Sequence, residues 1–340
     1  MLRDLAISAT DHKWEDRAVL EAATTSRKSR SLIARFAVTG AWVAIIVLFS
    51  VLIPGTFLRF DNFNTIVGSQ VIILMLAVAV TFPLRAGDFD LSIGAVAVLS
   101  ASIVAVLTTE SHWPVLLAVA AALLLCMVVG AVNSIIIVWF GADAFVTTLG
   151  TMTIVGGVAY GITNTSIVSG IPSSLMTATN LQVGGIPISA FFGWALVLIV
   201  WYVFEYTPYG RYLLFLGGNR EVARMNGVPV RRVRAGALII SSLIAGVAGI
   251  LLVGTLGSID PSIAPQYLIP PYAAAFVGAT TIQVGRFNIL GTVVGVYMLA
   301  TIGLGLQLVG ASDWLGTVFS GIALVGAITF GRAMGSKSAS

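Results

Sequence analysis

The sequence predicts an all-α membrane protein with about ten transmembrane segments. Hydrophobic residues make up 58% of the 340-residue chain, charged residues make up only 9%, and the mean hydropathy is +1.00. A soluble domain carries about a quarter charged residues, so this chain has too little charge to cover a water-facing surface. Apolar runs of about twenty residues should therefore be spanning helices. Its 36 glycines agree with this, because small residues let membrane helices approach closely.

Ten apolar segments divide the chain. They lie at 32–53, 65–84, 91–109, 113–140, 144–164, 189–206, 233–257, 268–283, 288–309 and 314–331. The 113–140 run is long enough to tilt or bend. The 268–283 run is short and contains Pro270-Pro271, so we expect a broken or re-entrant helix there. The predicted domains are an N-terminal tail at 1–31, a transmembrane domain at 32–331 and a C-terminal tail at 332–340.

The distribution of basic residues predicts the orientation, because cytoplasmic loops carry an excess of Lys and Arg. With the N-terminus in the cytoplasm, ten spans place 17 of the 18 basic residues inside and leave only Arg59 outside. Both tails are therefore expected in the cytoplasm. The first thirty residues alternate acids and bases and have no apolar core, which argues against a cleaved signal peptide.

The spans carry no ionisable residue near their middle. Ion-coupled carriers usually bury such a residue there, although backbone carbonyls can bind sodium instead. The sequence also lacks a G-x-x-x-x-G-K-[ST] phosphate loop and the common hydrolase motifs. No catalytic residue, metal site or cofactor is predicted in this chain, so the energy for uphill transport is expected to come from another chain.

Neutral polar side chains do occur within or beside the apolar runs, among them Asn133, Thr147 and Thr148. Such hydroxyl and amide groups could line a path for an uncharged, hydroxyl-rich solute. The alternative interpretation is that they only form hydrogen bonds between neighbouring helices.

Charge is concentrated in the predicted inner loop, at about 206–232. Gly217-Gly218 should interrupt the chain, Asn219 is a suitable N-cap, and Glu221 falls in a first turn, where the helix dipole favours an acid. Asn226-Gly227 should end the helix. A helix of two turns is marginal alone in water, so we expect a protein to dock on it. In the alternative interpretation, the arginines only hold the loop inside and attract anionic lipid. No basic fold or aromatic platform suggests nucleic-acid binding.

Three blocks carry a family resemblance. They are GRYLLFLGGNREVARMNGVPVRRVR, AGDFDLSIGAVAVLSA and GAVNSIIIVWFGADAFVTTLGTMTIVGGVAYGIT. All three blocks resemble motifs of one family. The first is similar to G-R-x-x-x-A-x-G-G-N-x-E-A-A-R-x-x-G-I-x-V, the second to G-G-x-D-L-S-V-G-S, and the third to G-x-x-N-G…P-x-F-I-x-T-L-G-T-M. This family is the permease subunits of ribose-type ATP-binding-cassette (ABC) importers, and the resemblance covers about residues 65–331.

The resemblance implies a bacterial inner-membrane permease for a monosaccharide or related polyol. Its implied partners are a second permease copy, identical or paralogous, cytoplasmic ATPase subunits that hold ATP and magnesium, an extracytoplasmic solute-binding protein, and membrane lipid. Carried over by position, the ATPase dock is Gly217, Gly218, Asn219, Glu221, Ala223, Arg224 and Gly227. The matching blocks also make Asn133, Phe145, Thr147 and Thr148 candidates for the solute path.

The sequence departs from the family pattern near the expected path. Val222 replaces the usual alanine after the glutamate, the proline expected before Phe145 is absent, and Pro270-Pro271 replaces a stretch that often contains an acid. These departures leave the solute open. The alternatives are a branched-chain amino acid ABC permease and an ion-coupled carrier that works alone. A purely structural scaffold fits the capped helix least well.

The block from Asp88 to Ser92 contains two acids in an otherwise apolar region. We expect Asp90 to cap the third span and Arg85 to form an ion pair with Asp88, in preference to contact with solute. The segment Gly285–Asn288 repeats the glycine, the aromatic residue and the capping residue before the ninth span, which we interpret as the same local capping solution.

Overall fold

A computed structural model describes residues 35–312 and 314–336. The predicted N-terminal tail at 1–31 lies outside the described residues. The α-helices of the described part are α1 Arg35–Leu52, α2 Pro54–Phe57, α3 Phe60–Ser69, α4 Val71–Arg85, α5 Ile93–Thr109, α6 Val115–Ser134, α7 Ala144–Ile162, α8 Ser173–Asn180, α9 Ile188–Tyr206, α10 Pro208–Gly218, α11 Arg220–Met225, α12 Val230–Leu256, α13 Ile269–Ala279, α14 Ile289–Leu308 and α15 Trp314–Ser336.

Strands are short and lie only at the helix connections of the described part. They are β1 Val168–Ser169, β2 Gln182–Val183, β3 Ile186–Pro187 and β4 Ser258–Ile259. The pairs β1–β4 and β2–β3 are both antiparallel. A π-helical turn, Ile135–Trp139, continues α6, and a 3-10 helix, Pro261–Tyr267, precedes α13.

Six of the described helices are long and apolar enough to cross a bilayer: α1, α6 with its π-helical turn, α7, α9, α12 and α14. Helices α3 and α4 could form a seventh span, bent by 42°. Helix α5 and the apolar part of α15, Trp314–Thr329, are shorter than a full span. Helix α13 has 11 residues, so it is about 16 Å long against a hydrocarbon core of about 30 Å. Each of the ten predicted segments falls on a helix, but the count of about ten spans is not confirmed.

The core of the bundle is formed by α4, α5, α12 and α13. Nearly every residue of α4 is buried, and α12 packs along α4, α5 and α6. Glycines permit this packing: a Cβ at Gly249 of α12 would overlap the Ala97 carbonyl of α5, and one at Gly295 would overlap that of Ala274. Backbone therefore packs directly on backbone, as the glycine content predicts.

Both long predicted loops contain regular structure. Helix α8 lies in the 165–188 loop and packs on α12, where Asn180 Nδ2 donates a hydrogen bond to the Gly254 carbonyl at 3.1 Å. In the 206–232 loop, α10 occupies 208–218, so Gly217-Gly218 forms its last turn and does not interrupt the chain. The Thr207 hydroxyl caps α10 by accepting the Gly210 N–H. Helix α15 continues to Ser336, within the predicted C-terminal tail at 332–340.

Candidate functional site

The predicted two-turn helix is present as α11, Arg220–Met225. Asn219 caps it as predicted: its Oδ1 accepts the N–H groups of Glu221 at 2.9 Å and Val222 at 3.1 Å. Gly227 ends it with a φ of +78°, which only glycine adopts readily. We call Gly217–Gly227 the docking segment. Both ends of α11 are therefore capped by residues of the docking segment itself.

One side of α11 is held by the bundle and the other is open. Ala223 is buried, whereas Val222 is 47% exposed and Met225 is 74% exposed. Two exposed apolar side chains on a capped surface helix are a suitable contact for another protein. Glu221 and Arg224 also lie on this short helix, so the open surface presents both signs of charge.

Asp88 connects the docking segment to the core. Asp88 is 4% exposed, and its carboxylate accepts hydrogen bonds from Arg220 Nη2, Arg234 Nε and Arg234 Nη2, each at 2.8 Å. Arg220 Nη2 also donates to the Gly87 carbonyl at 2.7 Å. Charge-assisted hydrogen bonds of this length are the strong ones in proteins. Asp88 thus joins the first residue of α11 to the second turn of α12.

The expected ion pair between Arg85 and Asp88 is not formed. Arg85 lies at the end of α4, and its guanidinium carbon is 4.4 Å from the ring centroid of Phe204 on α9. The Arg85 Nε and Nη1 atoms are buried without a hydrogen-bond partner. Gly87 has a φ of +77°, and this left-handed turn points Asp88 towards α11 and α12 instead.

Asp90 was expected to cap α5, but it lies in a polar network instead. Helix α5 begins at Ile93, and Ser92 is its N-cap residue. Asp90 Oδ1 accepts from the Ser92 hydroxyl at 2.5 Å and from the Ser92 N–H at 3.2 Å. Its Oδ2 accepts from the Ser241 hydroxyl of α12 at 3.0 Å. The helix starts one to two residues too late for Asp90 to bond its first turn.

The network continues through Asn133. Asn133 Nδ2 donates to the Ser92 hydroxyl at 3.2 Å, and Asn133 Oδ1 accepts from the Thr151 hydroxyl at 2.6 Å. Hydrogen bonds therefore connect α12, the start of α5, α6 and α7. Asn133 is buried, so its contacts agree with the interpretation that such amides join helices.

The segment Ala86–Ser92 is non-helical backbone within the bundle. Ser241 lies 11 residues into α12, about 16 Å from its start. Asp90 is therefore deep in the helical core, where the sequence analysis expected no ionisable residue. Non-helical backbone is tolerated there only if its polar groups are satisfied. The Asp88 N–H donates to the Pro83 carbonyl at 2.9 Å. The Asp90 N–H donates to the Tyr272 hydroxyl and the Leu91 N–H to the Thr148 hydroxyl, both at 3.0 Å.

The two threonines of the predicted path also make backbone contacts. Thr148 is buried, receives the Leu91 N–H and donates to the Ala144 carbonyl at 2.8 Å. Thr147 donates to the Asp143 carbonyl at 2.7 Å. Asp143 caps α7 through the Val146 N–H at 3.0 Å, a capping role that the sequence pattern Asp-Ala-Phe could have predicted.

A cavity of about 490 Å³ lies next to the Ala86–Ser92 segment. Its walls include five aromatic rings, from Phe89, Phe145, Tyr272, Phe276 and Phe287. We call it the aromatic cavity. The ring of Phe89 neighbours three of the others, with its centroid 6.4 Å from those of Phe145, Tyr272 and Phe276. Phe287 packs edge-on against Phe276 at 5.2 Å.

The aromatic cavity contains one of the four predicted path residues. Phe145 lines it and is 49% exposed, whereas Asn133, Thr147 and Thr148 are not among its lining residues. No lining residue is charged. The sequence analysis missed Phe89, Tyr272 and Phe276. The repeated pattern of a glycine and an aromatic residue before a polar cap, in Gly87–Asp90 and Gly285–Asn288, was a signal for Phe89 and Phe287.

Comparison with known proteins identifies the family of the chain. Residues 62–328 match the family described as the permease component of the branched-chain amino acid transport system. The chain belongs to this permease family. Its match covers every helix from α4 to α14 and most of α15, so the docking segment and the aromatic cavity both lie inside it.

Individual relatives of the permease are similar over most of their length. The ribose import permease protein of Escherichia coli strain K12 is 30% identical over 85% of this chain and 90% of the relative. The L-arabinose transport system permease protein of the same strain is 31% identical over 85% and 89%. The ribose import permease protein of Haemophilus influenzae is 25% identical over 87% and 94%. No solved structure matches the permease significantly.

The resemblance to ribose-type permeases is therefore confirmed. With its family membership and its long apolar helices, the permease is a multi-pass protein of the bacterial inner membrane. Within the described residues, no group of three or more His, Cys, Asp or Glu side chains could hold a metal ion.

Proposed function

We propose that the chain is the membrane subunit of an ATP-driven ABC importer that translocates a monosaccharide or a related polyol. The relatives named above import ribose and L-arabinose, and a D-allose permease of E. coli is 28% identical over 85% of this chain. The observation that carries the proposal is the chemistry of the aromatic cavity. A cavity walled by rings and lacking any charged side chain suits a neutral solute.

This chemistry also separates the proposal from its nearest alternative. An amino acid is a zwitterion, and a buried path for it would need groups that compensate its ammonium and carboxylate. The polar side chains that line the aromatic cavity are Thr280 and Tyr272, which are neutral and cannot compensate a charge. A sugar is therefore the better solute, although the family description names branched-chain amino acids.

The docking segment is proposed as the contact with a cytoplasmic ATPase, which would hold ATP and magnesium. Support comes from the capping at both ends of α11 and from the exposure of Val222 and Met225. A short helix with open apolar side chains would lose water-exposed apolar area when a partner covers it. Glu221 and Arg224 would provide charge complementarity around this contact.

Helix α7 is proposed to face a second permease copy. Most of α7 is exposed, and Gly150, Gly156, Gly157 and Gly161 have no neighbouring atom at the position of a Cβ. Small residues on an exposed membrane helix permit close approach of another helix. Because Phe145 is at the start of α7 and lines the aromatic cavity, the second copy would complete the wall of the path.

We further propose that the bundle makes about ten passes with both termini in the cytoplasm. Seven passes would come from the six long helices and the bent pair α3–α4. The other three would be α5, α15 and a broken pass made of the 3-10 helix Pro261–Tyr267 and α13. Support comes from the burial of α5 and α13 and from the basic residues Arg85, Arg220, Arg234 and Arg286, which all lie towards one end of the bundle.

Reconstituted transport tests the proposal. The permease would be placed in liposomes with its ATPase and its solute-binding protein, and uptake of radiolabelled ribose, arabinose, allose and leucine would be measured with ATP inside. We expect ATP-dependent uptake of a sugar and none of leucine. Uptake of leucine would identify an amino acid permease, and uptake by the permease alone under a sodium or proton gradient would identify a secondary carrier.

A further inference from the structure

The segment Gly87–Leu91 touches the docking segment on one side and the aromatic cavity on the other. Asp88 accepts a hydrogen bond from Arg220 of α11 at 2.8 Å. The next residue, Phe89, lines the aromatic cavity and contacts three of its other rings. One peptide bond therefore separates the contact with the docking helix from the cavity wall.

The two ends of this segment are held differently. Towards α5, Leu91 is held by Thr148 and Asp90 is held by Ser241, both on long helices. Towards α4, Gly87 adopts a left-handed turn and its carbonyl accepts from Arg220. Phe89 is 39% exposed, whereas Asp88 and Asp90 on either side are 4% and 1% exposed. Its side chain thus projects out of a buried strip of backbone into open space.

We propose that the ion pair of Asp88 with Arg220 transmits movement of the docking helix to Phe89, and that Phe89 is the movable wall of the aromatic cavity. The proposal rests on the proposed function, since it takes the docking segment as the ATPase contact and the aromatic cavity as part of the solute path. It assigns Arg220 and Asp88 as positioning residues, with no contact to the solute.

The carboxylate of Asp88 is suited to this role because two helices share it. Arg234 binds it with two hydrogen bonds from α12, which is a long and largely buried helix. Arg220 binds it from α11, which is short and has an open face. Displacement of α11 would pull on Asp88 through the charge-assisted hydrogen bond from Arg220, while the two hydrogen bonds from Arg234 would return the carboxylate to its position.

This arrangement makes Arg220→Ala the informative variant. Arg234 still neutralises Asp88 in that variant, so no buried charge is left unpaired and the fold should be retained. We expect the ATPase to copurify with the permease and ATP hydrolysis to continue, while solute uptake per ATP hydrolysed falls at least tenfold. Arg220→Lys, which keeps one charged hydrogen bond, should restore part of the coupling.

Arg231→Ala is the matched control, because Arg231 is an exposed arginine in the first turn of α12. Uptake per ATP should be unchanged in it. The proposal is overturned if Arg220→Ala couples normally, or if Arg231→Ala uncouples to the same extent. It is also overturned if Arg220→Ala loses the ATPase from the complex, because the loss of uptake would then follow from a lost ATPase contact and not from lost transmission to Phe89.

The movement of Phe89 can be measured directly by the reactivity of a cysteine at its position. In a Cys126→Ala background, the reaction rate of Phe89→Cys with a maleimide would be measured in the complete transporter, with and without ATP and vanadate. We expect the rate to change severalfold with ATP, and the change to vanish when Arg220→Ala is added. A change that persists without Arg220 would overturn the transmission route. Absence of ATP-driven uptake in the unmodified transporter would instead contradict the proposed function.

Discussion

Gly217 lies directly against the carbonyl oxygen of Arg85, so the end of α10 and the end of α4 meet backbone to backbone. A Cβ at position 217 would overlap that oxygen, whereas a Cβ at Gly218 would meet no atom within 4 Å. Two adjacent glycines of the same motif therefore have different roles. Gly217 is needed for packing within the permease, and Gly218 is on the open side of the docking segment.

Substitution of these glycines separates the two roles. Gly217→Ala should lower the stability of the permease by about 1–3 kcal/mol, because overpacking forces backbone to shift. Gly218→Ala should leave stability unchanged or raise it slightly, since alanine favours a helix. Thermal unfolding in detergent would measure both. Equal melting temperatures for the two variants would contradict the packing described here.

The two buried acids should respond differently to neutralisation. Asp88→Asn leaves Arg234 and Arg220 without their counter-charge, and the loss of one partner of a buried ion pair costs about 3–5 kcal/mol. Asp90 bonds only to hydroxyl groups and one N–H, so Asp90→Asn should cost far less. Unfolding of the two variants, measured side by side, checks this. A larger loss for Asp90→Asn would mean that its charge is compensated by a group that these contacts do not include.

Truncation of a cavity ring should alter solute handling without altering ATPase binding. Phe145→Ala removes a wall of the aromatic cavity, and we expect the KM for uptake to rise severalfold while the ATPase still copurifies. Val146→Ala is a suitable control, because Val146 is exposed and does not line the aromatic cavity. The measurement is the initial uptake rate against solute concentration. An unchanged KM in Phe145→Ala would remove Phe145 from the path.

Charge reversal on α11 tests the dock. Glu221→Arg and Arg224→Glu should each leave membrane insertion intact, since both residues are on the exposed helix, but should uncouple ATP hydrolysis from uptake. Glu221→Arg should also weaken α11 by about 0.3–1 kcal/mol, because it puts a positive charge at the N-terminus of the helix. Copurification and hydrolysis assays give the readout. Normal coupled transport in both variants would defeat the docking assignment.

The local parts of the site could be predicted from sequence. Asn219 caps α11 and Gly227 ends it because capping depends on residues two to four positions away. The wrong pairing of Arg85 with Asp88 has the opposite cause. The partners of Asp88 are 132 and 146 residues away along the chain, and only the packing of α4, α11 and α12 determines which arginine reaches it.

The predicted helix boundaries were wrong where the chain is buried but non-helical or tightly packed. Hydropathy identifies 91–109 as one segment, yet the helix starts at Ile93 because the preceding residues bond to Tyr272 and Thr148. Similarly, Gly217-Gly218 was predicted to interrupt the chain, but the contact of Gly217 with α4 stabilises a helical turn there. The aromatic cavity could not be predicted from the sequence, because its rings come from four separate regions of the chain and only the packing of the helices brings them together.

The distance in sequence between Asp88 and Arg234 also constrains the biogenesis of the protein. Ribosomes add about 5–20 residues per second, and 146 positions separate the two residues, so roughly 7–30 s pass before Arg234 is synthesised. For the first 132 of those positions the carboxylate has neither of its guanidinium partners, because Arg220 is synthesised only then. We therefore expect the turn between α4 and α5 to wait at the water interface, and to settle into the helical core only after α12 has been released from the translocon.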